Sequence, residues 1–240
     1  MLYFYSILCI IIYSSVSFTV LSGFQYYVED VMKKLYSLGE EIFNSVTHGV
    51  GGGISVAACV LMIIKAAFTG SAMKVVCAAI FGATLIILYT MSTLYHALTH
   101  PTAKKVMRIF DHCTIFMLIA GTYTPFTLVV IGGALGWTLF GILWGATVIG
   151  ILLNALSLNK FSKISMVLYI LMGWCVVFCV KPVIAYLGLW GSLMLLAGGI
   201  LYTGGILFFS SKKKYMHSIW HIFVVLGSVC HILCVMFWII

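Results

Sequence analysis

Apolar blocks of about 20 residues recur from residue 48 onward, parted by short clusters of lysine, proline and glycine. A block of that length crosses a roughly 30 Å hydrocarbon core as a helix, because each backbone donor and acceptor is then satisfied within its own segment. The pattern predicts an all-α integral membrane protein and excludes a soluble domain. Composition agrees, with 63% of the chain hydrophobic and 8% charged. Seven transmembrane helices are predicted near 48–68, 76–98, 109–131, 135–154, 164–187, 191–210 and 215–239. Pro101 and the Lys104–Lys105 loop end the second, Gly132–Gly133 parts the third from the fourth, Asn159–Lys160 and Lys163 mark the next break, and Gly188 to Gly191 the one after. Glycines at 49 and 53, 141 and 145, 198 and 199, and 204 and 205 are expected to let helices approach closely, as a seven-helix bundle in lipid requires.

The net charge of +8 does not point to nucleic acid. The basic residues form short loop clusters, as the positive-inside rule describes, and such clusters favour anionic headgroups, so membrane lipids are the expected partners. Lys33, Lys34, Lys104, Lys105, Arg108, Lys160, Lys163, Lys212, Lys213 and Lys214 fall on one side, whereas Lys65, Lys74 and Lys181 fall on the other. This bias puts the start of the first core span in the cytoplasm and the C-terminus outside, in a multi-pass protein of the plasma (inner) membrane. The eight cysteines lie in apolar runs with no C-x-x-C spacing and read as packing residues.

Two regions follow from the composition. Residues 32–240 form the seven-helix domain. Residues 1–31 form an apolar extension that no lysine or arginine precedes, so a secretory signal is poorly supported. Two readings of it stand, an extra N-terminal helix or an artefact of start-site choice. Residues 29–47 hold four of the five acids and are expected to form a short surface helix, with Asn44 and Thr47 as cap candidates.

The chemistry concentrates at the cytoplasmic ends of four spans. His217 and His221 stand four apart, so both imidazoles leave one helix face about 6 Å apart along the axis and can reach one metal ion. No Glu lies between them, which removes a zinc-protease reading. His96, with Ser92 one turn before it, closes the second span; Asp111 opens the third; His48 opens the first. Ionisable groups at membrane depth are costly and mark function. Three imidazoles without a thiolate suit Zn²⁺ and leave a fourth position for water, which such a site activates. Asp111 is the candidate general base, and Ser92 the candidate to hydrogen-bond a ligand or polarise a carbonyl. His100, in a loop before Pro101, and His112, expected to point about 100° away from Asp111, are weaker candidates. His231, about 15 Å beyond His221, reads as a packing or interhelical hydrogen-bonding residue.

Three motifs in order, Glu41-x2-Asn44-x3-His48, Ser92-x3-His96 with Asp111 downstream, and His217-x3-His221, resemble those of the haemolysin III and progestin–adipoQ receptor family. Gly173–Trp174 and Tyr202-Thr203-Gly204-Gly205 are similar to its bacterial haemolysin III branch. The resemblance spans about residues 33–240. It implies a zinc site of His96, His217 and His221, with Asp111 reaching the metal through water. It also implies kinship with ceramidase-active receptors and with a haemolytic bacterial protein. Bacterial members typically lack an apolar extension such as residues 1–31.

Two functional classes remain open. One is a zinc-dependent, ceramidase-like hydrolase acting on a lipid amide or ester at the cytoplasmic side. The other is a non-enzymatic membrane protein, either a pore-forming cytolysin or a sensor with structural zinc. A pore calls for a polar stripe along several spans, and the outer halves of these spans are apolar apart from scattered Ser, Thr, Asn and His231.

Overall fold

The computed structural model describes residues 36–211 and 213–240, so the expected extension at 1–31 lies outside the described residues. The described chain is almost wholly helical: α1 (Leu38–Phe68), α2 (Ala72–Ala97), α3 (Pro101–Pro125), α4 (Gly133–Gly173), α5 (Val180–Phe209) and α6 (Met216–Cys234). Wider π-type turns extend α3 over Phe126–Ile131 and α6 over Val235–Ile239, and a 3₁₀ segment, Cys175–Cys179, joins α4 to α5. Among the described residues, five helical tracts are long and apolar enough to cross a membrane, one of them the 77-residue stretch Gly133–Phe209. Large apolar side chains face outward, among them Val56, Val60 and Leu61 of α1 and Val148, Ile149 and Leu152 of α4, while histidines, an aspartate and many hydroxyls face inward. That inversion is what a bundle solvated by lipid requires.

Local chemistry sets the boundaries. Ser71 caps α2 by accepting a hydrogen bond from the Lys74 backbone N–H at 3.4 Å. Pro101 opens α3, where its missing N–H costs nothing. Pro125 lies at the other end of that helix and is followed by the π turns, in keeping with a proline that cannot supply an i→i−4 bond. The expected surface helix capped near Asn44 or Thr47 does not form. Instead α1 runs unbroken from Leu38, Asn44 is fully buried in its interior, and the Thr47 hydroxyl bonds back to the Phe43 carbonyl at 2.7 Å. An apolar stripe on α1 and a packed neighbour outweigh the weak preference of Asn and Thr for helix ends.

The 77-residue tract is not a single rod, which would measure about 115 Å. Backbone angles at Ser157 are extended, φ −166° and ψ 97°. On either side of that break the chain meets itself: Ser165 donates to Asn154 Oδ1 at 2.6 Å and Asn154 Nδ2 reaches Tyr169 Oη at 3.4 Å. Residues 11 apart in a straight helix stand about 16 Å apart, so the chain has reversed. Both halves pack on α3: Thr147 donates to the Phe116 carbonyl, and the Tyr169 ring lies 4.3 Å from the Phe116 ring. A second break falls at Gly188, whose φ of +64° favours a residue without a Cβ. After it, α5 runs antiparallel to α6, pairing Cys234 with Gly191, Tyr202 with Ser228 and Phe209 with His217. The first of these breaks falls two residues before the expected Asn159–Lys160, and the second falls at the start of the expected Gly188 to Gly191.

The expected glycine contacts divide. Gly198 packs directly under His231, and a Cβ on Gly205 would stand 3.0 Å from Phe223, but Gly53, Gly141, Gly145 and Gly199 meet nothing. Close approaches the spacing did not single out are Gly82 against Cys59, Gly121 against Thr84, Gly136 against the Thr127 carbonyl and Gly150 against Phe116. Spacing alone does not show which helix face meets a neighbour. The seven cysteines among the described residues are free thiols, as expected.

Candidate metal centre

α1 and α6 run parallel. Near their starts the His48 and His221 rings stack with centroids 3.7 Å apart, and near their ends the Lys65 ammonium donates to the Met236 carbonyl. This pairing brings the opening turns of α1 and α6 to one level. α2 returns antiparallel beside α1, which delivers its last turn, with Ser92 and His96, to the same level. α3 starts at Pro101, earlier than the Asp111 expected to open it, and carries Asp111 about three turns further on.

At this level His96, His217 and His221 present one ring nitrogen each, all within 4.8 Å of one another, and all three residues are buried. The Nε2 atoms of His217 and His221 are 3.1 Å apart. Two nitrogens bound to one tetrahedral zinc at 2.0–2.1 Å stand roughly 3.3 Å apart, so the pair is already spaced for a shared ion. The third imidazole is oriented by an acid: His96 Nδ1 lies 2.6 Å from Glu41 Oε2. With Nδ1 committed to a carboxylate, Nε2 is the nitrogen directed to a metal, the usual carboxylate–histidine arrangement of metal proteins. Glu41 is itself held by Lys104 at 2.9 Å, and Lys104 also donates to the Tyr95 carbonyl at 3.0 Å. Three nitrogen donors, mutually close, buried and backed by a carboxylate, could hold a metal ion.

Asp111 lies outside this group of mutually close donors but within electrostatic reach of His48, His96 and His217, and Ser92 approaches its carboxylate. His112 does not point away as expected. Its Nδ1 curls back to the Arg108 carbonyl at 2.9 Å, which carries it past Asp111 Oδ2 at 3.3 Å. The i→i−4 carbonyl is the nearest acceptor for an imidazole on this helix, and reaching for it overrides the 100° separation. The structure thus gathers His96, His217 and His221, keeps Asp111 outside that group, buries Ser92 one turn before His96, and leaves His100 before α3 and His231 farther along α6.

Glu40 and Glu41 emerge as working residues that the local reading left in a surface helix. Glu40 Oε1 accepts from the Tyr215 backbone N–H at 2.7 Å, holding the turn from which α6 launches His217. The available signal was spacing: Glu41, Asn44 and His48 lie three and four apart, hence on one face of a helix. Asn44 and His48 are buried, and neither side chain has a hydrogen-bond partner among the described residues.

Beside the centre lies a cavity of about 160 Å³ with mostly apolar walls, bounded by α3, the second half of α4, α5 and α6. His48, Asp111 and Trp220 line one end, and Tyr123, Gly173 and His231 the other.

The profile of a family described as "Haemolysin-III related" matches residues 36–232. Hemolysin-3 of Bacillus cereus is 43% identical over 202 residues, covering 84% of this chain and 92% of that protein. The Hemolysin-3 homolog of Bacillus subtilis (strain 168) is 42% identical over 205 residues, covering 85% of this chain and 96% of its own. A more distant similarity, 27% over 162 residues, covers 63% of this chain and 66% of the human Monocyte to macrophage differentiation factor. With its family-wide match and close relatives along nearly their whole length, this multi-pass membrane chain belongs to the haemolysin-III-related family.

Proposed function

We propose that the protein is a seven-crossing membrane hydrolase that binds zinc through His96, His217 and His221 and cleaves a lipid amide or ester at the cytoplasmic side. The observation that carries this reading is the buried three-histidine group, with a buried aspartate nearby that lines a mostly apolar cavity. Three protein ligands leave a position open, which a purely structural zinc site does not need. Zinc, when bound, acidifies water and polarises a carbonyl. The chain's own residues do the rest. Glu41 holds His96 in one tautomer and orientation. The cavity takes the acyl chain and keeps water from it. Asp111 accepts the proton of the attacking water as its oxygen bonds to the carbonyl carbon, then passes that proton to the departing nitrogen or oxygen as the old bond breaks. Ser92 is placed to hydrogen-bond the carbonyl oxygen.

Seven crossings are supported by the reversals at Ser157 and Gly188, which divide the longest apolar tract into three runs. The charge bias then supports a cytoplasmic metal centre. Reporter fusions after Lys105, Lys163 and Lys213 are expected to read cytoplasmic, and a fusion after Ile240 external. A cytoplasmic signal at Ile240 would overturn the orientation.

The name of the two bacterial relatives favours a second reading, a protein that permeabilises membranes. Liposomes of phospholipid and ceramide separate the two. The hydrolase releases a fatty acid and a long-chain base in a zinc-dependent manner, detected by mass spectrometry, without dye leakage. Zinc-independent leakage with no lipid product would sink the hydrolase reading.

A further inference from the structure

Lys104 belongs to none of the three motifs, yet it sits where α1, α2 and α3 meet. α2 ends at Ala97 and α3 opens at Pro101, so the first turn of α3 follows closely on the last turn of α2. The final carbonyls of a helix lack partners within it, and a cation is favoured beside them. The Lys104 ammonium lies there. It donates to the Tyr95 carbonyl at 3.0 Å and to the Leu98 carbonyl at 3.2 Å, and it stands 5.0 Å from the centre of the Tyr95 ring. It also lies 2.9 Å from Glu41 Oε1 of α1. An ammonium has three donors, and here three acceptors surround it.

The other oxygen of the same carboxylate, Glu41 Oε2, is 2.6 Å from His96 Nδ1. Each oxygen of Glu41 therefore has its own task. A glutamate has three rotatable side-chain bonds, and ordering them costs entropy. The imidazole fixes one oxygen. The ammonium, seated on two backbone carbonyls, fixes the second and with it the plane of the carboxylate. Both side chains of the ion pair are only 17% exposed, so water competes with it less than at an open surface. Lys105, the next residue, is exposed.

We propose that Lys104 is a positioning residue of the metal centre: it sets the Glu41 carboxylate, and through it the His96 ring. This inference rests on the three-histidine centre of the proposed hydrolase. It adds to that centre a residue of α3, a helix that supplies none of the three histidines.

Zinc affinity of the purified full chain in detergent, measured by competition with a chromogenic chelator, tests it. Lys104→Met keeps the apolar stem and removes the donors. It is expected to raise the zinc Kd about tenfold, the lower end of what losing a partner behind a metal ligand costs. Lys105→Met removes the same loop charge and leaves the Kd within about twofold of wild type. The decisive measurement is a double-mutant cycle. In a Glu41→Ala background the path to His96 is already cut, and Lys104→Met then changes the Kd by less than about twofold. Equal losses with and without Glu41, or an equal loss in Lys105→Met, overturn the proposal, because Lys104 would then act on the fold or through charge alone. Lys104→Gln, which keeps a donor head, shows the same dependence on Glu41 with a smaller loss, and it carries the test should Lys104→Met not fold. Wild-type protein that takes up no zinc overturns the metal centre and this inference together. Wild type that binds zinc, with no change in Lys104→Met, overturns this inference alone.

Discussion

His221→Ala is expected to empty the metal centre: wild-type protein carries about one zinc per chain and the variant almost none. The His217 and His221 nitrogens stand 3.1 Å apart, so they bind as a chelating pair, and the loss of either leaves two donors on two different helices. Burial sharpens the effect, because His221 is fully enclosed beneath His48 and water has poor access to take the missing place. Glu41→Gln is the graded counterpart. It keeps all three nitrogens but weakens the acceptor for His96 Nδ1–H, and removal of such a partner typically costs 10–100-fold in metal affinity. His100→Ala and His231→Asn leave the metal in place. Elemental analysis of the purified variants decides the matter, and zinc retained at wild-type level in His221→Ala would show that the ligands are others.

Asp111→Asn separates metal binding from chemistry. The amide keeps the size and hydrogen-bonding outline of the carboxylate but takes no proton. Zinc stays bound, and lipid hydrolysis falls by about 10²–10⁴, the usual contribution of a positioned base. The opposite pattern, lost zinc with the residual rate following metal content, would make Asp111 a ligand and remove the base from the mechanism. The carboxylate has a neighbour in His112, 3.3 Å away, whose own N–H is directed mainly to the Arg108 carbonyl. His112→Ala therefore has a much smaller effect than Asp111→Asn, since it leaves the proton acceptor in place.

The levels at which His96, Asp111, His217 and His221 lie follow from reading helix ends against loop charges, because a transmembrane helix converts sequence position into depth almost linearly. Which side chains meet at a given level does not follow, because rotation about each helix axis is set by packing. That is why Gly141 and Gly145, suggestive by spacing, meet nothing, while Gly121 and Gly150 carry the contacts. It is also why Glu41, assigned to a polar surface helix, instead holds a candidate ligand from another helix. The reversal at Ser157 was visible as a break in hydropathy, displaced toward the nearby lysine. The 3₁₀ segment at Cys175–Cys179 had no such sign, since no charge or proline falls within it.

The link between Glu41, His96 and Lys104 has a consequence for how the protein is made. It joins α1, α2 and the first turn of α3, so it is complete once roughly the first hundred residues have entered the bilayer. The remaining two histidines are synthesised about 120 positions after His96. During that interval the salt bridge shields a histidine and a glutamate that lipid would otherwise strand, and it keeps His96 turned toward a space that is still vacant. α6 then arrives as the closing piece and finds one imidazole already set. Order of synthesis thus becomes order of assembly, and a chain halted before α6 is expected to hold His96 by Glu41 while lacking the other two histidines of the group.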